Sequence, residues 1–461
     1  MKKRMCKIMA LAMTAAMVVP MAAQTTAFAA DDKEITYWNI AVESPDKDIV
    51  TAAVDKFNKE TESGYTVNSV AIQNDTYKEK LVIAMSSGEC PDMYSSWSGG
   101  PMYEYIDSGF AQPIDDLLDQ SDIKDKLLDA AIEQGSYKGH VYAIPYMNVV
   151  LAGIFYNKDM FKQYGLEEPK TLADLENICA TLKENGITPF ALANGSKWTG
   201  SMYFMSLAAR YGGLEPFQNA VAGTGKFTDD CFIKAGEKIQ EWVKNGYFPD
   251  GVNSLSEDDG QAKQLLYQET AGMMLGGSFY TGAFQTDSEE FYQKKIGWFP
   301  IPAIDDSDAD PTIQIGTVGD QFISFNCEGD KLAAAFECAA DHLSDEVEDM
   351  IYSTGKIAPV KDAGDHISDP VVKEIFDAAQ EASSIQLWYD QYLPTSVASA
   401  HLDGLQEVFG LTKTPQEAQE EMQTAMDEYL STKSDSGAAD DTAEEATDDA
   451  AADDAAADDA E

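Results

Sequence analysis

The chain has 461 residues, of which 80 are acidic and 32 are lysine or arginine, so its formal net charge is −48. A surface of that charge repels nucleic acid and anionic lipid, which excludes both as partners. The length suits two to three domain-sized cores, and we expect two lobes.

The N-terminus has the composition of a secretory signal peptide, which we assign to residues 1–29. Lys2, Lys3 and Arg4 precede an uncharged apolar run at residues 8–19, and Ala27-Phe28-Ala29 offers small residues at cleavage spacing. The run is shorter than the roughly 20 residues that a membrane-spanning helix needs. We therefore expect an exported protein without a membrane span.

Strands and helices then alternate along the chain. Residues 34–43 are typical of a buried strand, residues 48–61 of a helix, and residues 65–72 of a second strand. A second helix at residues 75–88 and a short strand at residues 91–97 follow. This alternation predicts parallel βαβ units and an α/β fold.

Further helices are predicted downstream, and the chain ends in an acidic segment. Thr171 and Asp174 form a capping box in front of an apolar helical stripe, and Trp242 lies on a helix that ends at Gly246. Residues 434–461 consist mostly of Asp, Glu and Ala, and cannot bury enough apolar surface to offset their ordering entropy. We expect them to form a disordered tail.

The cysteines, histidines and acidic residues, which usually bind metals or act in catalysis, show no spacing that is typical of either role. Five of the six cysteines lie beyond the predicted signal peptide, cannot all pair and have no CxxC spacing, so we expect buried free thiols. The four histidines are far apart, and "DDSDADPT" lacks the glycine and glutamate of a calcium loop. We expect no catalytic residues, no metal and no cofactor.

Eight segments, taken in order, resemble one known family. They are "ITYWN", "SGECPDMY", "YAIPY" followed by "FYNKDMF", "PKTLADL", "KWTGSMYFMSLAARYGG", "GMMLGGSF", "IGWFPIP" and "QLWYDQYLP". The chain resembles the extracellular solute-binding proteins of ABC importers (family 1 type), in the branch that takes up oligosaccharides.

The resemblance implies a two-lobed α/β fold of the type II periplasmic-binding-protein kind. Each lobe is a sheet flanked by helices, and the ligand lies in a cleft that closes by hinge motion. By analogy, the N-terminal lobe comprises residues 31–144 and 299–345, and the C-terminal lobe residues 145–298 and 346–433. The segments "AIPY" and "FPIPA" would cross between them.

The resemblance also implies partners and a location. The ligand would be an oligosaccharide, and a monomeric receptor would deliver it to a membrane permease pair whose ATPase is encoded elsewhere. Gram-positive members usually carry a lipobox cysteine, but no cysteine lies near Ala29. We therefore expect an extracellular or periplasmic protein, associated with the cell envelope and without a lipid anchor.

A sugar site needs flat apolar surfaces beside side chains that donate and accept hydrogen bonds. In the first lobe such residues stand at the ends of predicted strands, where open α/β sheets bind ligands: Trp38, Asn39, Asn74 and Trp97. Trp38 suits a lobe core equally well.

Further candidates come from the second half of the chain. They are Trp198 in a glycine-bounded loop, Ser278 and Phe279 after an apolar strand that ends in two glycines, Asp320 before another strand, and Tyr146 at the proposed crossing. The resemblance places ligand contacts at Ser278 and Phe279. Asp320 is otherwise a turn aspartate, and Tyr146 could instead pack the hinge.

The segment "SSIQLWYDQYLP" at residues 383–394 combines three aromatic residues with one aspartate. Pro394 disfavours helix at Leu393, so we expect an irregular segment that leads into a helix near Thr395. The resemblance places its aspartate on sugar hydroxyls. We assign Asp390 to the ligand and either Trp388 or Tyr389 to a stacking surface.

Two other functions stay open. A secreted glycoside hydrolase would need two carboxylates, and with 80 acidic residues some pair always lies at the required separation. A surface glycan adhesin would bind polymer without closing.

Overall fold

The computed structural model describes residues 33–451, with side chains as far as residue 433. The predicted signal peptide and residues 452–461 lie outside the described residues. The strands are β1 (Glu34–Asn39), β2 (Thr66–Ala71), β3 (Met93–Ser96), β4 (Ser136–Tyr137), β5 (His140–Val141), β6 (Ala143–Pro145), β7 (Val150–Asn157), β8 (Thr188–Phe190), β9 (Ala271–Gly277), β10 (Ile296–Phe299), β11 (Gln314–Thr317), β12 (Phe322–Phe325) and β13 (Ile385–Gln386).

The helices of the first half are α1 (Asp46–Glu60), α2 (Asn74–Ser87), α3 (Gly100–Asp107), α4 (Asp115–Asp119), α5 (Ile123–Lys126), α6 (Asp129–Gln134), α7 (Lys158–Tyr164), α8 (Leu172–Glu184), α9 (Trp198–Gly212) and α10 (Glu215–Val221). Those of the second half are α11 (Asp230–Lys244), α12 (Gln261–Tyr267), α13 (Tyr280–Lys295), α14 (Gly329–Asp341), α15 (Asp345–Ser353), α16 (Pro370–Glu381), α17 (Tyr389–Tyr392), α18 (Thr395–Phe409) and α19 (Pro415–Ala451).

The first lobe is built on a five-stranded sheet in the order β2-β1-β3-β12-β6. Strand β1 pairs in parallel with β2 and β3, as the βαβ pattern predicts, whereas β12 pairs antiparallel with β3 and β6. Helix α1 packs against α14 and α15. The carboxyl ends of β1, β2 and β3 consequently open at one edge of this sheet.

The second lobe is built on the order β13-β11-β7-β9-β8, with β10 also paired to β7. Every residue of β7 is buried, and its side chains alternate between two cores. Leu151 and Phe155 belong to the core that continues into the first lobe, whereas Ile154 and Tyr156 belong to the core of the second lobe. The predicted α/β fold with two sheets flanked by helices is confirmed.

Three chain segments connect the two sheets, after β6, after β11 and between α15 and α16, and they bond to one another. Asn148 is buried; its side-chain oxygen accepts from the Ile357 amide at 2.8 Å, and its backbone oxygen accepts from the Asp320 amide at 2.7 Å. The Tyr146 amide donates to the Gln321 carbonyl at 3.1 Å. The connections thus form one hydrogen-bonded layer beneath the space between the lobes.

The strand pairing differs from the expected lobe boundaries. The chain does not return to the first lobe at residue 299, because β11 still pairs with β7, and only β12 joins the first sheet. The intervening loop leaves and re-enters the same sheet, and the buried Arg210 guanidinium holds both ends by donating to the Ile301 and Ile313 carbonyls at 3.0 and 2.7 Å. Helix α15 also contacts α1, so first-lobe packing extends to residue 353 rather than 345.

The last helix, α19, extends into the segment for which the sequence predicts a disordered tail. It packs against α18 and continues to Ala451, through the first part of the acidic segment that we expected to be disordered. Alanine is the strongest helix former, which accounts for a helical backbone in a segment rich in Asp and Ala.

Two further findings concern the cysteines and the helices. Cys179, Cys231, Cys327 and Cys338 are buried free thiols, as predicted, whereas the free thiol of Cys90 is half-buried.

Between residues 33 and 451, none of the helices combines the length and the apolar character that crossing a bilayer requires.

Candidate functional site

A cleft of about 580 Å³ lies between the two sheets. From the first lobe it receives residues that follow β1, β2 and β3, and from the second lobe residues at the starts of α9, α12, α13 and α17. Asp320 and Gln321, from the connection after β11, complete the lining. The site therefore draws on both lobes and on the layer that connects them.

Three indole rings line the cleft from both sides. Trp97 follows β3, Trp198 begins α9, and Trp388 immediately precedes α17. Trp198 makes an edge contact with Phe279 at 6.1 Å between ring centres, and no described residue accepts a hydrogen bond from its buried Nε1–H. Flat apolar surface from both lobes thus faces the same space.

Two carboxyl groups of the lining have strongly raised pKa values. Burial raises the pKa of Glu257 to about 8, because Tyr280 and Lys263 only partly offset it. Burial likewise raises the pKa of Asp320 to about 7, against the opposing effect of Lys356. Glu257 Oε2 also has no hydrogen-bond partner among the described residues.

Polar contacts already join the lobes across the cleft. Lys78 Nζ on α2 lies 3.6 Å from Asp390 Oδ2 on α17. The Asp75 amide at the start of α2 donates to Asp258 Oδ2 at 3.3 Å, and burial raises the pKa of Asp258. The N-terminal part of α2 therefore touches two parts of the second lobe.

A close backbone contact flanks this edge of the cleft. A Cβ on Gly99 would lie 2.1 Å from the Gln391 carbonyl oxygen, and one on Gly100 would lie 2.2 Å from that of Leu393. Gly99 also has φ of 113°, a conformation that side chains disfavour. Beyond it, Glu104 accepts from the Thr395 amide at 3.0 Å and from its hydroxyl at 2.6 Å.

The structure brings seven of the twelve predicted site residues to the cleft: Asn74, Trp97, Trp198, Phe279, Asp320, Trp388 and Asp390. The Asn74 amide group donates to Asp75 Oδ1 at 3.1 Å. The predicted start of a helix at Thr395 is also found, although a single helical turn, α17, precedes it.

The other five predicted residues do not line the cleft. Trp38 packs against the first-lobe cluster around Tyr77 and Tyr94. Asn39 is buried, donates to Ser69 Oγ at 2.8 Å and accepts from the Ala41 amide at 3.0 Å, so it holds the end of β1.

Tyr146, Ser278 and Tyr389 have structural partners instead. The Tyr146 hydroxyl donates to Gln321 Oε1 at 2.6 Å in the connecting layer. Ser278 Oγ accepts from the Leu151 amide at 3.2 Å. Tyr389 stacks on Phe217 at 4.1 Å between ring centres, within the second-lobe core. Trp388 belongs to the same core and is 3% exposed, but it also lines the cleft.

Sequence reasoning missed Lys78, Glu257 and Asp258. Lys78 lies one turn beyond the start of α2, and the two acids belong to "SEDDG", the loop before α12. A solvent-exposed loop would have the same composition, so among 80 acidic residues these two carry no distinguishing signal. Within residues 33–433, no group of three or more His, Cys, Asp or Glu side chains is placed to hold a metal ion.

The comparisons with known proteins agree with this architecture. The model of the bacterial extracellular solute-binding protein family matches residues 41–340. An uncharacterized ABC transporter extracellular-binding protein of Pyrococcus horikoshii is 31% identical over 229 residues, which cover 49% of this chain and 50% of that protein. The chain thus matches about half the length of this curated relative.

Solved structures match over more of the chain. One, from a study of xylan utilization by Caldanaerobius polysaccharolyticus, has a TM-score of 0.78 and 29% identity and covers 85% of this chain and 99% of its own. A chitin oligosaccharide binding protein has a TM-score of 0.78 at 22% identity, with 86% and 98% covered. The resemblance inferred from the sequence is confirmed.

Proposed function

The chain belongs to the family of bacterial extracellular solute-binding proteins, and from that premise we propose that it is an exported receptor for an oligosaccharide. It binds the sugar between its lobes and delivers it to the permease of an ABC importer. The observation that carries the proposal is the cleft, where indole rings and hydrogen-bonding side chains of both lobes face one space of about 580 Å³.

The lining suits the chemistry of a sugar. Trp97 and Trp198 offer flat surfaces to the C–H faces of pyranose rings, and Trp388, which is 3% exposed, offers a smaller one. Asp390, Asn74 and Asp320 offer groups that pair with hydroxyls. Each buried polar group that a wrong epimer leaves unpaired costs on the order of 1 to 3 kcal/mol. The hydrogen-bonding side chains therefore determine which sugar binds, and the tryptophan rings contribute affinity.

The arrangement also supports closure around the ligand. The lobes are joined by three hydrogen-bonded connections, and contacts such as Lys78 to Asp390 span the cleft. Rotation about the connecting layer would widen the cleft and separate those contacts. A permease pair that accepts the closed, loaded monomer is the partner, and the ATPase is a separate chain. The receptor works outside the cytoplasmic membrane, at the cell envelope.

Calorimetric titration with oligosaccharides of two to five units tests the proposal. Xylo-oligosaccharides and chitin oligosaccharides are tested first, because one similar solved structure comes from a study of xylan utilization and another is of a chitin oligosaccharide binding protein. Malto- and raffinose-type sugars follow. We expect one sugar per chain and a decrease in the radius of gyration by small-angle scattering. Product formation without binding heat would instead indicate a hydrolase, and binding of polymer without compaction an adhesin.

A further inference from the structure

The cleft has an excess of negative charge among its lining residues. Eight carboxyl groups line it against two lysines and no arginine, and the excess remains negative even though Glu257, with a pKa raised to about 8, is largely uncharged at pH 7.5. The carboxyl groups belong to Glu43, Asp46, Glu257, Asp258, Asp259, Asp287, Asp320 and Asp390. Charge alone does not make a binding site. Which ligands the cleft can bind depends on whether each cation is already paired and whether each hydrogen-bond acceptor already has a partner.

Both lysines of the lining are already engaged by carboxylates. Lys78 Nζ lies 3.6 Å from Asp390 Oδ2, and Lys263 Nζ lies 3.0 Å from Asp287 Oδ2. Lys356, beside the cleft floor, pairs with Asp46. No cation of the described lining is therefore left over to neutralise an anionic ligand.

One acceptor of the lining lacks a partner. Glu257 is 9% exposed, and its Oε2 accepts no hydrogen bond from any described residue. Its neighbours Asp258 and Asp75 are acidic, and burial keeps the pKa of the Glu257 carboxyl far above its usual range. A hydroxyl group can pair with this carboxyl in either protonation state, because the hydroxyl both donates and accepts.

We propose that the cleft selects uncharged oligosaccharides and rejects those that carry uronic acid units. The inference rests on the proposed function and specifies its substrate class. A sugar carboxylate in this space would lose its hydration, meet fixed charges of its own sign and find both lysines occupied. A neutral sugar of the same shape would meet no such repulsion and would leave the lysine pairs intact.

The test compares matched probes by titration calorimetry at pH 7.5 and low salt. Each neutral series (xylo-, galacto-, malto- and chitin oligosaccharides) is paired with an acidic counterpart of equal length, such as galactotriose with trigalacturonate or xylotriose with the same chain bearing one glucuronic acid. We expect the acidic member of the pair whose neutral member binds to bind at least about 30-fold more weakly. Equal or tighter binding of the acidic member would overturn the inference while leaving the receptor function intact, whereas binding of neither class would remove both.

Salt separates charge rejection from steric rejection. Because salt screens partly exposed charges, the affinity for the acidic probe should rise between 20 mM and 1 M NaCl, while that for the neutral probe stays constant. An unchanged ratio would show exclusion by shape and overturn the inference.

A pair of substitutions provides a second test. The double variant Asp390→Asn, Asp287→Asn releases Lys78 and Lys263 from their ion pairs and removes two carboxylates from the lining. The ratio of neutral to acidic affinity should fall by about tenfold. Asp377→Asn with Asp230→Asn is the matched control, since both aspartates pair with lysines on exposed helix faces outside the cleft. An equal change in the control would contradict a local effect.

Discussion

The Asp390 carboxylate lies 3.6 Å from Lys78 Nζ, so a helical turn of one lobe meets a helix of the other across the cleft. Lys78 Nζ also lies 4.9 Å from the centre of the Trp97 ring. One cation thus positions a carboxylate of the second lobe and an indole of the first. The proposed hydrogen-bonding group and the proposed stacking surface are therefore placed relative to each other by the protein itself.

Replacing Asp390 by Asn should weaken sugar binding with little effect on folding. The charged acceptor for ligand hydroxyls is lost, which raises the dissociation constant by about 10-fold or more. The pair with Lys78 is partly exposed, so the free energy of unfolding should change by less than about 1 kcal/mol. Calorimetry and thermal unfolding measure the two effects. Asp377→Asn, on an exposed helix, should change neither, and an unchanged dissociation constant for Asp390→Asn would refute its assignment to the ligand.

Replacing Trp198 by Phe should separate binding from stability. The indole Nε1–H has no acceptor within the described part of the chain, so its removal breaks no hydrogen bond of the free protein. The ligand loses part of the stacking surface, and the dissociation constant should rise by about 10-fold. Titration and thermal unfolding of the same sample measure the two quantities.

Trp242→Phe is the matched control for this prediction. Its Nε1 donates to Glu176 Oε1 at 3.0 Å, and its ring is 2% exposed in the second-lobe core. Unfolding should become easier by about 1 to 3 kcal/mol while affinity is retained. If both tryptophan variants lost stability equally and kept affinity, Trp198 would be a core residue.

The comparison between Trp97 and Trp38 shows how far the sequence predicts the site. Both tryptophans were expected at strand ends, and the strands were predicted from alternation alone. Trp97 lies in the turn beyond β3 and reaches the cleft, whereas Trp38 lies within β1 and packs against the cluster under α2. Strand alternation fixes which residues share a face but not which face the next helix covers.

Two adjacent residues of the segment at residues 383–394 show the same limit of prediction from the sequence. Trp388 lines the cleft and Tyr389 stacks in the core, because one helical turn begins between them and rotates the second ring inward. A four-residue helix leaves too little periodicity in the sequence to predict this rotation. Glu257 is harder still, since its contacts, with Ser196 and Tyr280, come from other parts of the chain and its burial follows no local pattern.

Replacing Gly100 by Ala should disturb the contact between the lobes. The added Cβ would lie 2.2 Å from the Leu393 carbonyl oxygen, and backbone atoms cannot rotate away. The loop after β3 and the segment before α18 must separate, which should open this edge of the cleft and weaken binding by about 10-fold or more. Small-angle scattering of the free protein should show a larger radius of gyration, and titration the reduced affinity.

Gly410→Ala controls for the loss of a glycine as such. At that position a Cβ would come no nearer than 3.2 Å to another atom, Asn253 Nδ2, so a shift of a few tenths of an ångström is enough to accommodate it. Its scattering curve and affinity should match those of the unaltered protein. If Gly100→Ala bound sugar with an unchanged radius and affinity, the contact would have no part in setting the cleft.

The stability of the ligand-free protein should decline as pH rises from about 6.5 to 8. Burial raises the pKa of Glu257 to about 8, and an unfolded glutamate titrates near 4.3, so between these values the folded protein binds more protons than the unfolded chain. Stability then falls with rising pH, and the contribution is lost by about pH 8. Asp320, with a pKa raised to about 7, acts in the same direction over a lower range.

Two buried histidines change the stability with pH in the opposite direction. The experiment is therefore confined to the range above about pH 6.5, where their effect is small. Burial lowers the pKa of His342 to about 4 and that of His401 to about 3, so the unfolded chain binds their protons below about pH 6.5 and stability falls there with acidification. Above pH 6.5 the carboxyl groups dominate. Denaturant unfolding between pH 6.5 and 8 should therefore show a negative slope that Glu257→Gln reduces and that a His401→Gln variant retains. A flat profile for the unaltered protein would show that the Glu257 carboxyl is not held in the buried state described here.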